Sequence, residues 1–132
     1  MSVRRGPRLS LEELAPYLLT VPSASSGQPP APLDWREVFG NDRPVELEVG
    51  FGKGLFLLTA AEVCPDVNFA GVEIVRKYQL FTATRLAKRG LYNVRVACAD
   101  VRWFLPACPT ASLQEVHVYF PDPWWKKRHH KR

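Results

Sequence analysis

Four carboxylates, Glu48, Glu73, Asp100 and Asp122, recur 22 to 27 residues apart, each at or near the end of a short apolar stretch. The first is followed at once by Gly50-Phe51-Gly52-Lys53-Gly54, where Gly50, Gly52 and Gly54 have no β-carbon and let backbone approach a ligand closely. Glycines in such a turn serve a dinucleotide, a mononucleotide or a tight turn alone. The acids narrow the choice. Gathered at one rim they repel a pyrophosphate and attract a cation, and one charge pair at ~4 Å in a medium of effective dielectric near 20 is worth about 4 kcal/mol in either direction. A ligand carrying an ammonium and a sulfonium, such as S-adenosylmethionine, fits that sign. The dinucleotide fingerprint G-x-G-x-x-G would need a glycine where Leu55 stands, which argues against a nicotinamide cofactor. Glu73 is placed to accept hydrogen bonds from ribose hydroxyls, or is an ordinary strand-end carboxylate.

Asp122 sits in Phe120-Pro121-Asp122-Pro123-Trp124-Trp125, between two prolines whose fixed φ stiffens the turn. Rigid placement of a reacting group is what a displacement reaction most needs. Trp124 and Trp125 stack on a base or on the donor, or pack as ordinary aromatics. The chain then runs into Lys126-Lys127-Arg128-His129-His130-Lys131-Arg132. The net charge is +5, and five of the 18 lysines and arginines lie in these seven residues, so the remaining 13 balance the 13 acids. A localised cationic block reads as a phosphate-binding element or as a solvated end. Five phosphate contacts would give a slope of log affinity against log salt of about −4. His129 and His130 belong with the polar face, and no cysteine or further histidine stands at ligand spacing from them, so no metal is expected.

These residues need a scaffold that brings strand ends together. Residues 9–19 read as a short helix with Ser10 and Glu13 as a capping box and Pro16 limiting it. Thr20 to Pro32 is rich in Pro, Ser, Ala and Gly and reads as a linker. The folded body is expected from near Asp42, dividing the chain into an extension (1–43) and a ligand-binding domain (44–132). Within the latter, strands are expected at Val45–Val49, Phe69–Ile74, Asn93–Cys98 and Glu115–Phe120. Helices are expected at Leu55–Cys64 and Arg76–Arg89, the second stopped by Gly90, with a short turn at Val101–Phe104 and a loop through Pro106 and Pro109. Such alternation implies an α/β fold with a parallel sheet, whose ligands bind at the carboxyl ends of the strands. Three widely spaced cysteines and the lack of a leader-like or membrane-length apolar run point to a cytoplasmic setting.

Glu48-Val49-Gly50-Phe51-Gly52-Lys53-Gly54, Gly71-Val72-Glu73-Ile74, Asn93-Val94, Asp100 and above all Phe120 through His129 resemble the bacterial tRNA (guanine-N7)-methyltransferases, over about residues 44–132. The resemblance implies a Rossmann-like class I methyltransferase fold, a parallel sheet with flanking helices. It also implies S-adenosylmethionine as donor and methylation of a guanine in the tRNA variable loop. Under it Glu48, Glu73 and Asp100 are donor-binding acids, Asp122 is the active-site aspartate beside donor and base, and Lys126 contacts substrate. Lys127, Arg128, His129, Lys131 and Arg132 complete the expected RNA-binding face. Guanine N7 already carries a lone pair, so Asp122 is expected to orient rather than to abstract a proton. Trp125 replaces the usual proline of the family. Family members continue past the basic run with a helix and further strands, so the fold is expected to be incomplete at the C-terminus and the chain to bind donor and methylate tRNA weakly. An amino-group methyltransferase and a non-catalytic RNA-binding module are the alternatives, the first from the Asp-Pro-Trp loop and the second from the basic tail.

Overall fold

The computed structural model describes residues 8–21 and 31–119. Ser10 caps the first helix, α1 (Leu11–Leu14), in the expected box with Glu13. The expected helix through residue 19 is not formed. Pro16 enters a single 3-10 turn, Ala15–Tyr17, and the chain then extends as β1 (Leu18–Leu19). Leu14, Tyr17 and Leu19 are buried, so tertiary contacts override the helical pattern. Residues 22–30, the centre of the expected linker, lie outside the described residues. The body also begins earlier than Asp42, with α2 (Trp35–Phe39). Asp34 caps it by accepting from the backbone N–H groups of Arg36 and Glu37 at 3.0 and 3.4 Å, and Gly40 closes it.

The sheet continues with β2 (Val45–Val49), β3 (Asn68–Glu73), β4 (Val94–Cys98) and β5 (Leu113–Val118). Between these strands run α3 (Leu55–Val63), α4 (Arg76–Arg89) and α5 (Val101–Ala107). α4 has the expected bounds and the strands fall within two residues of theirs. α5 is a full helix where a turn and loop were expected. Pro106 is tolerated in its last turn, at the cost of one backbone bond, because Phe104 and Ala107 are fully buried.

Among the described residues the five strands are all parallel, in the order β1-β4-β3-β2-β5. A parallel pair requires a crossover, which the helices supply. β3 is buried along its whole length, as expected for a strand covered on both faces. One core includes Leu57, Leu58, Phe69, Leu86 and Val96; the other includes Trp35, Leu47, Val72, Ala97 and Phe104. The architecture is thus a Rossmann-like α/β sandwich. The chain leaves β2 toward β3 and later returns to the opposite side of β2 as β5, so the strand order reverses at β2. In open parallel sheets that reversal opens a crevice at the strands' carboxyl ends, and here it lies directly over Gly50–Gly54. Among the described residues no helix is long and apolar enough to cross a membrane.

Gly71 in the middle of β3 joins sheet to site. A β-carbon there would lie 2.6 Å from Phe51 Cδ2 and 2.8 Å from Leu57 Cδ1, so glycine makes room for the aromatic anchor of the glycine-rich turn. Gly71→Ala is expected to destabilise the protein by about 1–3 kcal/mol through overpacking, read as a lowered midpoint in urea unfolding with an unchanged slope.

Candidate functional site

The turn between β2 and α3 is shaped by hydrogen bonds from both sides. Gly50 N–H donates to the Val72 carbonyl (2.8 Å), and Gly54 N–H to the Phe51 carbonyl (2.9 Å). Gly52, at φ +55°, directs its N–H to Glu73 Oε1 at 3.0 Å. The Thr82 hydroxyl donates to the Gly52 carbonyl (3.3 Å) and Arg85 to that of Lys53 (3.3 Å). Gly54, at φ +80°, lies against Thr82, whose Cγ2 would be 2.4 Å from an added β-carbon. Any other residue there would meet both strain and collision. Glu73 ends β3 with 9% exposure, and its Oε2 also accepts from Val75 N–H (3.0 Å). It therefore clamps the turn while each oxygen keeps a lone pair.

A cavity of about 450 Å³ opens over this turn, lined by Glu48, Gly50, Gly52 and Lys53 together with Phe56, Tyr78 and Tyr119. Glu48 is 4% exposed, and its Oε1 is buried with no hydrogen-bond partner among the described residues. Burial, then the nearby charge of Glu73, push its carboxyl up from 4.5 to about 7. A buried, unsatisfied carboxylate oxygen is costly alone. A cation or a hydrogen-bond donor in the cavity would relieve it, so the residues present fit a ligand that carries an ammonium.

The expected site residues are only partly brought together. Glu48, Gly50 and Gly52 line the cavity, and Glu73 is one hydrogen bond from it. Gly54 seats α3 and does not line it. Asp100 is the N-cap of α5 and is not among the residues lining the cavity. Its carboxylate accepts from Arg102 N–H (2.9 Å) and from the Arg102 guanidinium (2.7 and 3.1 Å), which holds it below the usual carboxylate range. The negative rim expected from Glu48, Glu73 and Asp100 is therefore locally offset by Arg102. Asp122, Lys126, Lys127, Arg128, His129, Lys131 and Arg132 lie outside the described residues.

The cluster beside the cavity, between β2 and β5, was not legible as such. Glu46 and Glu48 alternate on β2, and Glu115 and His117 alternate on β5, with Tyr119 following. Strand pairing sets Glu46 beside Glu115 and Glu48 beside His117. His117 Nε2 lies 2.7 Å from Glu46 Oε1 and 3.4 Å from Glu115 Oε2, and Gln114 donates to Glu46 Oε2 at 2.8 Å. The imidazole also rests on Phe56, ring centres 4.6 Å apart, and stacks with Tyr119 at 6.0 Å. Ligand-type atoms of Glu46, Glu115 and His117 lie within 4.8 Å of one another. The hydrogen bond between Glu46 and His117 accounts for that convergence. The i, i+2 spacing of acids on β2 was the available signal, but it does not name the neighbouring strand.

Residues 42–132 match the family model described as "Putative methyltransferase". A tRNA (guanine-N(7)-)-methyltransferase of Rhodopirellula baltica is 47% identical over 109 residues, covering 78% of this chain and 40% of that protein. A protein of the same description from Vibrio cholerae is 41% identical over 131 residues, covering 98% of this chain and 55% of its own length. The chain spans about half the length of the curated relatives it matches. The crystal structure of a 30S ribosomal A1408 methyltransferase from an uncultured bacterium superposes with a TM-score of 0.56 at 16% identity, over 78% of this chain and 50% of that one, which supports the fold alone.

The raised Glu48 carboxyl has a consequence for stability. In the unfolded chain it ionises near 4.5 and in the folded chain near 7, so between these values the folded state holds the extra proton and stability falls as pH rises. Unfolding measured from pH 4 to 8 is expected to show this decline in the wild type and a flatter profile in Glu48→Gln.

Proposed function

The chain belongs to the methyltransferase family matched over residues 42–132, and from that premise we propose that it methylates N7 of a guanine in the tRNA variable loop, with S-adenosylmethionine as donor. The relatives at 41% and 47% identity are described as tRNA (guanine-N(7)-)-methyltransferases. The structural observation that carries the reading is the buried, unpartnered Oε1 of Glu48 beside a glycine-lined cavity. A nucleotide phosphate would be repelled there and an ammonium held.

S-adenosylmethionine supplies a methyl group already activated on a sulfonium. Glu48 then serves as the acceptor for the donor's ammonium, and the free lone pairs of Glu73 as acceptors for ribose hydroxyls. Gly50 and Gly52 allow the close approach this needs. Asp100 is the third donor-side acid of the proposal, reached by loosening its pair with Arg102. Phe56, Tyr78 and Tyr119 offer flat apolar walls that exclude water from the cavity. Guanine N7 presents an in-plane lone pair and no proton, so no general base is required. Asp122, held between prolines, orients the base, and Lys126, Lys127, Arg128, His129, Lys131 and Arg132 grip phosphates. The methylated base becomes cationic, and the acids of the site favour that charge as it develops. Such an enzyme works in the cytoplasm with its tRNA, and the unbonded state of Cys64, Cys98 and Cys108 suits a reducing compartment.

Purified protein incubated with bulk tRNA and labelled donor is expected to yield N7-methylguanosine on nuclease digestion and mass spectrometry. Asp122→Ala should slow transfer by about a hundredfold through lost positioning. A methyl group at an exocyclic amine, or no transfer at all, would refute the proposal. Because a cation must displace the Glu48 proton, donor affinity is expected to rise about tenfold per pH unit up to about 7 and then level off. Calorimetric titration of Glu48→Gln should show weaker binding without that dependence.

A further inference from the structure

The balance of charge outside the basic tail holds only in sum, because helix α4 is cationic and carries no acid. Its ionisable cations are Arg76, Lys77, Arg85, Lys88 and Arg89. At ~100° per residue, Lys77, Phe81, Arg85 and Lys88 share one face. The opposite face holds the buried Gln79, Thr82, Ala83 and Leu86. Lys77 and Lys88 are exposed. Phe81 is 46% exposed, an apolar ring amid cations. The Arg85 guanidinium lies over it, 5.7 Å from the ring centre. Arg85 also donates to the carbonyl of Lys53, a cavity residue, so the stripe begins at the lip of the site.

Helix stability does not explain this pattern. Lys88 and Arg89 suit the negative end of the helix dipole, but Arg76 and Lys77 occupy its positive end, and no first-turn acid offsets them. Arg89 pairs with Glu62 at 3.0 Å. Among the described residues no carboxylate lies within ion-pair distance of Lys77, Arg85 or Lys88. Lys77 set against the dipole, and Lys77, Arg85 and Lys88 left without a carboxylate partner among the described residues, make a face suited to an anion from outside.

We propose that the outer face of α4, formed by Lys77, Phe81, Arg85 and Lys88 with Lys53 at its edge, holds the sugar-phosphate backbone of the tRNA while the target base occupies the cavity. This rests on the tRNA methyltransferase reading above. From Lys77 to Lys88 the stripe runs ~16 Å, enough for a stretch of backbone rather than one phosphate. A basic surface with an interleaved aromatic ring is what nucleic-acid strands bind, the cations meeting phosphates and the ring meeting a base or sugar. A membrane surface would need a broad apolar outer face, and Phe81 is the single large apolar side chain within the stripe.

Lys77 and Lys88 do not line the cavity, so their exchange leaves the donor site intact. The test compares wild type with Lys77→Gln/Lys88→Gln and Lys77→Glu/Lys88→Glu. It measures tRNA affinity across a salt series, S-adenosylmethionine affinity by calorimetry, and the melting temperature. The glutamine pair is expected to reduce the log–log salt slope by about 1.4–1.8, at ~0.7–0.9 per lost contact. The glutamate pair is expected to weaken tRNA binding at least tenfold, with donor affinity and melting temperature unchanged. Unaltered slope and affinity in variants of a wild type that methylates tRNA would overturn the α4 proposal and leave the activity standing. Loss of polyglutamate binding with tRNA binding intact would assign the face to an acidic protein and overturn it equally. A wild type that binds donor but neither binds nor methylates tRNA would remove the activity and this inference together.

Discussion

A carboxylate shut away from water, with another carboxylate for a neighbour, cannot keep its charge at low cost. Glu48 is in that position. Its second-to-last place on β2 buries it beneath the glycine turn, and Glu73 from the adjoining strand raises the cost of ionising it further. Among the described residues none donates to Oε1, although the N–H groups of Gly50, Gly52 and Gly54 in the same turn are matched to acceptors. The site therefore holds an unmet electrostatic demand at one atom, and a cationic ligand meets it better than a neutral one. The proposed selectivity for a positively charged donor rests on this single constraint and does not require a large field.

The surrounding structure maintains that demand. Gly71 admits Phe51 beneath the turn, Thr82 holds the Gly52 carbonyl, and Glu73 holds its N–H. The turn is thus fixed by β3 and α4 and not by the ligand, which leaves less ordering to be done on binding. On the far side, the Glu46–His117 pair and the aromatic contacts of His117 join β5 to β2 and α3, bringing Tyr119 to the cavity wall. Glu48 thus lies buried at the cavity, while Lys77 and Lys88 of α4 face outward. Charge segregation of this kind suits an enzyme that holds a cationic donor within and a polyanion without.

What the residues alone determined is local. The capping box of Ser10 and Glu13, the stop of α4 at Gly90, the strand-turn-helix of residues 45–63 and the acids at the strand ends all follow from patterns a few residues long, governed by backbone geometry and side-chain period. The family resemblance rests on equally local runs of sequence. What only the tertiary structure decided depends on neighbours distant in the chain. β1 is two residues long and exists because β4 offers it an edge, so no alternation could announce it. The pairing of β5 with β2 sets Glu48 beside His117, a choice not written in either strand. Burial and Glu73 raise the Glu48 carboxyl, whereas Asp100 is held ionised by Arg102. Two strand-end acids are therefore shifted in opposite directions, because dielectric and partner charge are properties of the assembled fold and not of the residue.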